Sequence, residues 1–101
     1  MTRTSWTELK SQKLGAMNAL ERAEYERAYA EAQLAAEVGA SIQAAREAAG
    51  LSQRELARRM GTSQAAIDRL ESGGVGATLT TLQRVAGALG LEVNVELRPT
   101  A

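Results

Sequence analysis

The sequence predicts an all-α domain with an N-terminal helical extension and one C-terminal β-strand that pairs across a dimer. Three observations carry that reading. Alanine supplies 20 of the 45 hydrophobic residues, beside 12 Leu, five Val, two Ile and no Phe, so helix formers abound and bulky β formers are scarce. Glycines cut the chain into segments, most of which open on Asn, Ser or Thr, the residues that cap helix N-termini. Only the last segment trades the helical period for strict alternation.

The elements follow in order. Thr2 to Gly15 reads as a short helix, with Ser5-Trp6-Thr7-Glu8 as its capping box and Gly15 as its stop. Asn18 then caps a long helix, with Glu21 at its third position. That helix is free of Gly and Pro from Ala19 to Val38, bends near Gly39 and reaches Ala49, before Gly50. One stripe on it holds Tyr25, Tyr29, Ala32 and Ala36, and another holds Leu34, Val38, Ile42 and Ala45. Ser52 caps Gln53 to Met60, with Glu55 closing a second capping box and Gly61 ending the helix. Thr62-Ser63 opens Gln64 to Glu71, which Gly73-Gly74 ends. A loop through Val75-Gly76-Ala77 leads to a Thr78-capped helix, Leu79 to Leu89, closed by Gly90. In the final segment Leu91, Val93, Val95 and Leu97 alternate with Glu92, Asn94, Glu96 and Arg98 until Pro99, the pattern of a half-buried strand. A lone strand cannot stand by itself, and the rest of the chain offers no second one. The simplest partner is the same strand of a second copy, paired antiparallel about a two-fold axis. The thin, alanine-rich core of so small a domain also gains from a partner subunit.

Composition excludes several chemistries. The chain has no cysteine and no histidine, which removes disulfides, thiol catalysis, imidazole bases and the usual zinc ligands. No cofactor and no metal are expected. No catalytic constellation of carboxylates, lysine or hydroxyls stands out, so an enzyme is not expected. No apolar run approaches the roughly 18 residues of a membrane span, and the charged N-terminus lacks an apolar signal region, so the expectation is a cytoplasmic protein without a membrane partner. The 12 cations balance the 12 anions, whereas nucleic-acid-binding domains are often visibly basic. Residues 38–73 carry five arginines against four acids, so DNA affinity would come from placement and from doubling in a dimer.

Two short helices, Gln53–Met60 and Gln64–Glu71, joined by a tight turn at Gly61, have the spacing of a helix-turn-helix. Leu51, Leu56, Ile67 and Leu70 supply apolar side chains between them, and Ala57 is small where the helices must approach. Gln64, Ala65, Asp68 and Arg69 project from the opposite side.

The string AREAAGLSQRELARRMGTSQAAIDRLESG resembles the Xre/Cro-type, lambda-repressor-like helix-turn-helix of phage repressors and bacterial antitoxins. The resemblance covers residues 38–90. It implies a small helical bundle that binds double-stranded operator DNA as a homodimer, its second motif helix in the major groove. It also implies roles. Gln53 matches a phosphate-contacting glutamine, and Ser63 caps the recognition helix near a phosphate. Gln64 matches a base-reading glutamine suited to adenine, Ala65 offers a methyl to thymine, and Arg69 reads guanine or grips a phosphate. Arg46 and Glu71 match a pair that closes an inter-helix salt bridge in the family. Each role has a plainer alternative, since Gln53, Gln64 and Arg69 are also ordinary solvated helix residues. Asp68 is either a specificity residue accepting from cytosine N4 or a spectator that repels phosphate. Arg58 and Arg59 read as solvated, with one able to help hold the backbone.

The flanks narrow the resemblance. ATLTTLQRVAGALGLEVNVEL is similar to the C-terminal part of HigA-like and HipB-like antitoxins, which keep a terminal strand, although Ala77 stands where many relatives have Pro. Residues 5–39 resemble the leader of antitoxins paired with RelE/ParE-superfamily toxins. The resemblance therefore implies an antitoxin with three parts: an arm at 1–37 that binds the cognate toxin, a DNA-binding domain at 38–90, and a dimerisation strand and tail at 91–101. Trp6, Tyr25 and Tyr29 are all the aromatic residues of the chain, and with Leu9, Leu14 and Met17 they make the expected toxin-binding set. The competing reading packs them on the chain's own core or on the dimer mate. A stand-alone repressor of the same family is the alternative function. An RNA-binding role lacks an aromatic stacking platform on the core helices.

Overall fold

The computed structural model describes residues 12, 17–73 and 77–100. Within them lie four helices: α1 (Ala19–Ala48), α2 (Gln53–Met60), α3 (Gln64–Glu71) and α4 (Leu79–Leu89). The expected helix from Thr2 to Gly15 and the loop residues 74–76 fall outside the described residues, Gln12 excepted. The chain divides into two units, Met1–Ala32 and Gln33–Ala101, and the helix pair belongs to the second.

The start of α1 is the one expected. The Glu21 amide donates to Asn18 Oδ1 at 2.8 Å, and Asn18 Nδ2 donates back to Glu21 Oε1 at 3.1 Å. Two first-turn groups thereby satisfy each other. The helix then runs unbroken through Gly39 and ends at Ala48, one residue early. Gly39 marks an approach to another backbone instead of a break. A Cβ there would lie 2.5 Å from the Glu71 carbonyl oxygen and 2.6 Å from that of Leu70, so α1 meets the end of α3 main chain to main chain. At its C-terminus Gly50 takes φ +73°, and the Leu51 amide donates to the Arg46 carbonyl at 3.2 Å.

The core of the second unit joins all four helices. Leu56 and Ile67 are completely buried, and Ile42, Ala57, Met60 and Val85 complete the cluster, with Val38, Leu70, Leu82, Ala88 and Leu89 packed on it. Two arginines tie α2 to α4. Arg59 Nη1 donates to the Ala88 carbonyl at 3.2 Å, and Arg84 Nη2 donates to the Met60 carbonyl at 2.5 Å. Each guanidinium thus serves an acceptor in the last turn of the other helix, where a positive charge also suits the helix dipole.

The C-terminal segment departs from expectation. After Gly90, at φ +70°, residues 91–100 form no strand. A ladder needs the backbone of a neighbouring strand, and none exists among the described residues of the chain. Leu91, Val93, Val95 and Leu97 are 54%, 38%, 63% and 95% exposed. Residues 91–96 instead border an apolar groove of about 530 Å³, whose floor comes from Val38, Ile42, Leu82, Val85 and Leu89.

Candidate nucleic-acid interface

The geometry of the helix pair is set by its caps. The Glu55 amide donates to Ser52 Oγ at 3.1 Å, and the Ser52 amide donates to Glu55 Oε1 at 3.3 Å. Hydrogen bonds from the Ser52 hydroxyl and the Ser52 amide hold the Glu55 carboxyl below its usual range, with Arg58 and Arg59 adding to the effect. Gly61 takes φ +68°, a conformation that other residues rarely adopt, and its amide returns to the Ala57 and Arg58 carbonyls. Ser63 then caps α3, its Oγ accepting from the Ala66 amide at 3.1 Å. The hydroxyl proton of Ser63 is left to donate elsewhere.

The turn and caps fix the faces of α3. Ile67 enters the core and Leu70 packs at its edge, while Ser63, Gln64, Ala65, Asp68 and Arg69 are exposed. The residues expected on the outer face are brought together there on two successive turns. Gln53 lies half-buried at the first position of α2.

Behind this face sits a buried ion pair. Arg46 Nε donates to Glu71 Oε2 at 2.7 Å, and Arg46 Nη2 donates to Glu71 Oε1 at 3.0 Å, a two-pronged contact between α1 and α3. Arg46 Nη1 donates to the Leu51 carbonyl at 2.7 Å, so the same guanidinium clamps the loop before α2. Among the described residues no buried side-chain polar atom lacks a partner. Burial pushes the Glu71 carboxyl up, but hydrogen bonds from Arg46 and Gln53 and the charge of Arg46 outweigh it, leaving it below the usual range. The hydrogen bond to Glu71 raises the Arg46 guanidinium against its own burial.

Sequence reasoning anticipated the ion pair but missed what Gln53 does. Its Nε2 donates to Glu71 Oε1 at 3.2 Å and to Asp68 Oδ1 at 3.3 Å. The available signal was the spacing: Asp68 and Glu71 lie three apart, on one side of α3. Of the candidate arm residues, Trp6, Leu9 and Leu14 lie outside the described residues. Met17 and Tyr25 are half-buried, and Tyr29 is exposed on α1 one turn after Tyr25.

A helix-turn-helix family model matches residues 42–95, just over half of the chain. The match takes in the whole helix pair, α4 and the start of the C-terminal segment. No curated protein matches the chain.

Proposed function

This chain belongs to the Xre-type helix-turn-helix family and is a DNA-binding transcription regulator, and on that premise we propose that it is an antitoxin that represses its own operon. It binds double-stranded operator DNA as a homodimer and neutralises a cognate toxin, of RelE/ParE type, through its N-terminal arm. The observation that carries the DNA half is the outer face of α3. Gln64, Ala65, Asp68 and Arg69 are exposed together, opposite the fully buried Ile67. Gln64 suits adenine, Ala65 a thymine methyl and Arg69 a guanine edge or a phosphate. Replacing Gln64 with Ala is expected to weaken operator binding by about 1–3 kcal/mol and to relax preference at one base position. A footprint of that variant indistinguishable from wild type would remove Gln64 from the reading face.

The groove supports the homodimer. Its rim residues Leu34, Leu79 and Leu91 are each more than half exposed, and exposed apolar residues gathered around one groove suit a protein interface. The alternating segment supplies a strand able to pair with its copy.

The arm favours an antitoxin over a stand-alone repressor, which the helix pair would serve equally well. Between residues 19 and 32, α1 exposes Leu20 and Tyr29 among the exposed acids Glu21, Glu24, Glu26 and Glu31, against Arg22 and Arg27. An apolar and acidic surface suits a basic partner, and a nuclease that grips RNA is such a partner. The test is capture of the neighbouring gene product by the full chain and by residues 33–101. That truncation keeps Ala36, whose Cα would lie 2.9 Å from a Cβ on Gly73. The shorter chain is expected to keep operator binding and lose toxin capture. Equal capture by both would leave the stand-alone repressor.

A further inference from the structure

We propose that Asp68 reads a cytosine amino group in the operator, and that the side chain of Gln53 positions it by holding its carboxylate. The inference rests on the DNA-binding reading above and names one base within it. A glutamine amide has two N–H donors and one carbonyl acceptor. In Gln53 the donors serve Asp68 Oδ1 at 3.3 Å and Glu71 Oε1 at 3.2 Å. What remains on the side chain is an acceptor, so a phosphate at this helix start would be met by the Gln53 main-chain N–H and not by its side chain. The two acids differ in reach. Glu71 is buried and held by both prongs of Arg46, so it faces no ligand. Asp68 is exposed on the same face as Gln64, one turn later.

One carboxylate oxygen of Asp68 takes the Gln53 donor, and the other keeps its lone pairs for a partner. Close to DNA a carboxylate is repelled by phosphates and compatible only with a donor. In the major groove the donor that pairs with an acidic side chain is the exocyclic N4 amine of cytosine. Holding the carboxylate from α2 removes the freedom it would otherwise lose on binding.

The experiment is selection of duplexes from a randomised pool by the full chain, using wild type, Asp68→Ala, Asp68→Asn and Gln53→Ala, with thermal melts of each protein. Wild type is expected to select a C·G pair at one position of each half-site. Asp68→Ala is expected to lose that preference by about tenfold or more, with the other positions unchanged. Asp68→Asn keeps the shape and an acceptor but gains a donor, so it is expected to admit other bases there. Gln53→Ala is expected to relax the same position. An unchanged base profile for both Asp68 variants overturns the assignment. So does a uniform loss across all sequences for Gln53→Ala, the mark of a phosphate contact. Selection of no sequence by wild type overturns the DNA reading itself, and this proposal with it.

Discussion

Replacing Glu71 with alanine is expected to cost about 3–5 kcal/mol of folding stability, a large share of the 5–15 kcal/mol typical of a native protein. The reason is what the substitution leaves behind. Arg46 stays buried, with the Leu51 carbonyl as the one remaining acceptor of its three hydrogen bonds to α3 and the loop, and the exposed Glu47, 3.9 Å away, as its remaining counter-charge. Gln53 loses one acceptor at the same time. The pair is therefore costly to break without being a large net gain, because its desolvation offsets much of its attraction. Urea unfolding followed by circular dichroism is the measurement, and an unchanged midpoint would show that the pair carries nothing. The pH dependence has a definite sign. Glu71 is held below its usual range when folded, so its contribution is present above the ordinary glutamate pKa of about 4.3 and is lost as pH falls through the lower, folded value. Glu71→Gln is expected to lack that acid-side loss.

The second large effect concerns the groove. Asn94→Pro deletes a backbone donor in the middle of the alternating segment, and Val93→Asp places a charge beside it. Each is expected to turn the proposed dimer into a monomer by sedimentation. Operator affinity should then fall by about 100-fold or more, because a single chain reads one half-site and the tethering of the second is lost. The two variants separate two ways of pairing. If the charge breaks the dimer and proline does not, the copies meet through the apolar groove without a ladder. A monomeric wild type would refute the homodimer outright.

Most of the helical layout was legible because it is written in local chemistry. Asn18, Ser52, Ser63 and Thr78 each cap the helix expected of them, and Gly50, Gly61 and Gly90 each take positive φ where a helix was expected to stop. Side chains within three or four residues decide these features. Gly39 was misread because propensity speaks only of the helix it interrupts. Its reason lies 31 and 32 positions away, in the carbonyls of Leu70 and Glu71. The ties of Arg59 and Arg84 to opposite helix ends were hidden for the same reason. The outer face of α3 followed from periodicity, whereas the double role of the Gln53 amide depends on the crossing of α2 and α3. The alternating segment was legible as a pattern, but alternation names one face of a ladder and leaves its other strand unspecified.

The arginine ties have a consequence for how binding responds to ionic strength. Of the arginines between residues 46 and 84, Arg46, Arg59 and Arg84 are spent on acceptors inside the fold, which leaves Arg54, Arg58 and Arg69 exposed on the helix pair. Each phosphate neutralised by such a cation steepens the fall of log affinity against log salt by about 0.9. Three such cations on the helix pair of each chain, six in the proposed homodimer, correspond to a slope of up to about 5 from this face. On this count base edges are expected to carry more of the operator affinity than in a strongly basic regulator, and added salt is expected to remove proportionately less of it.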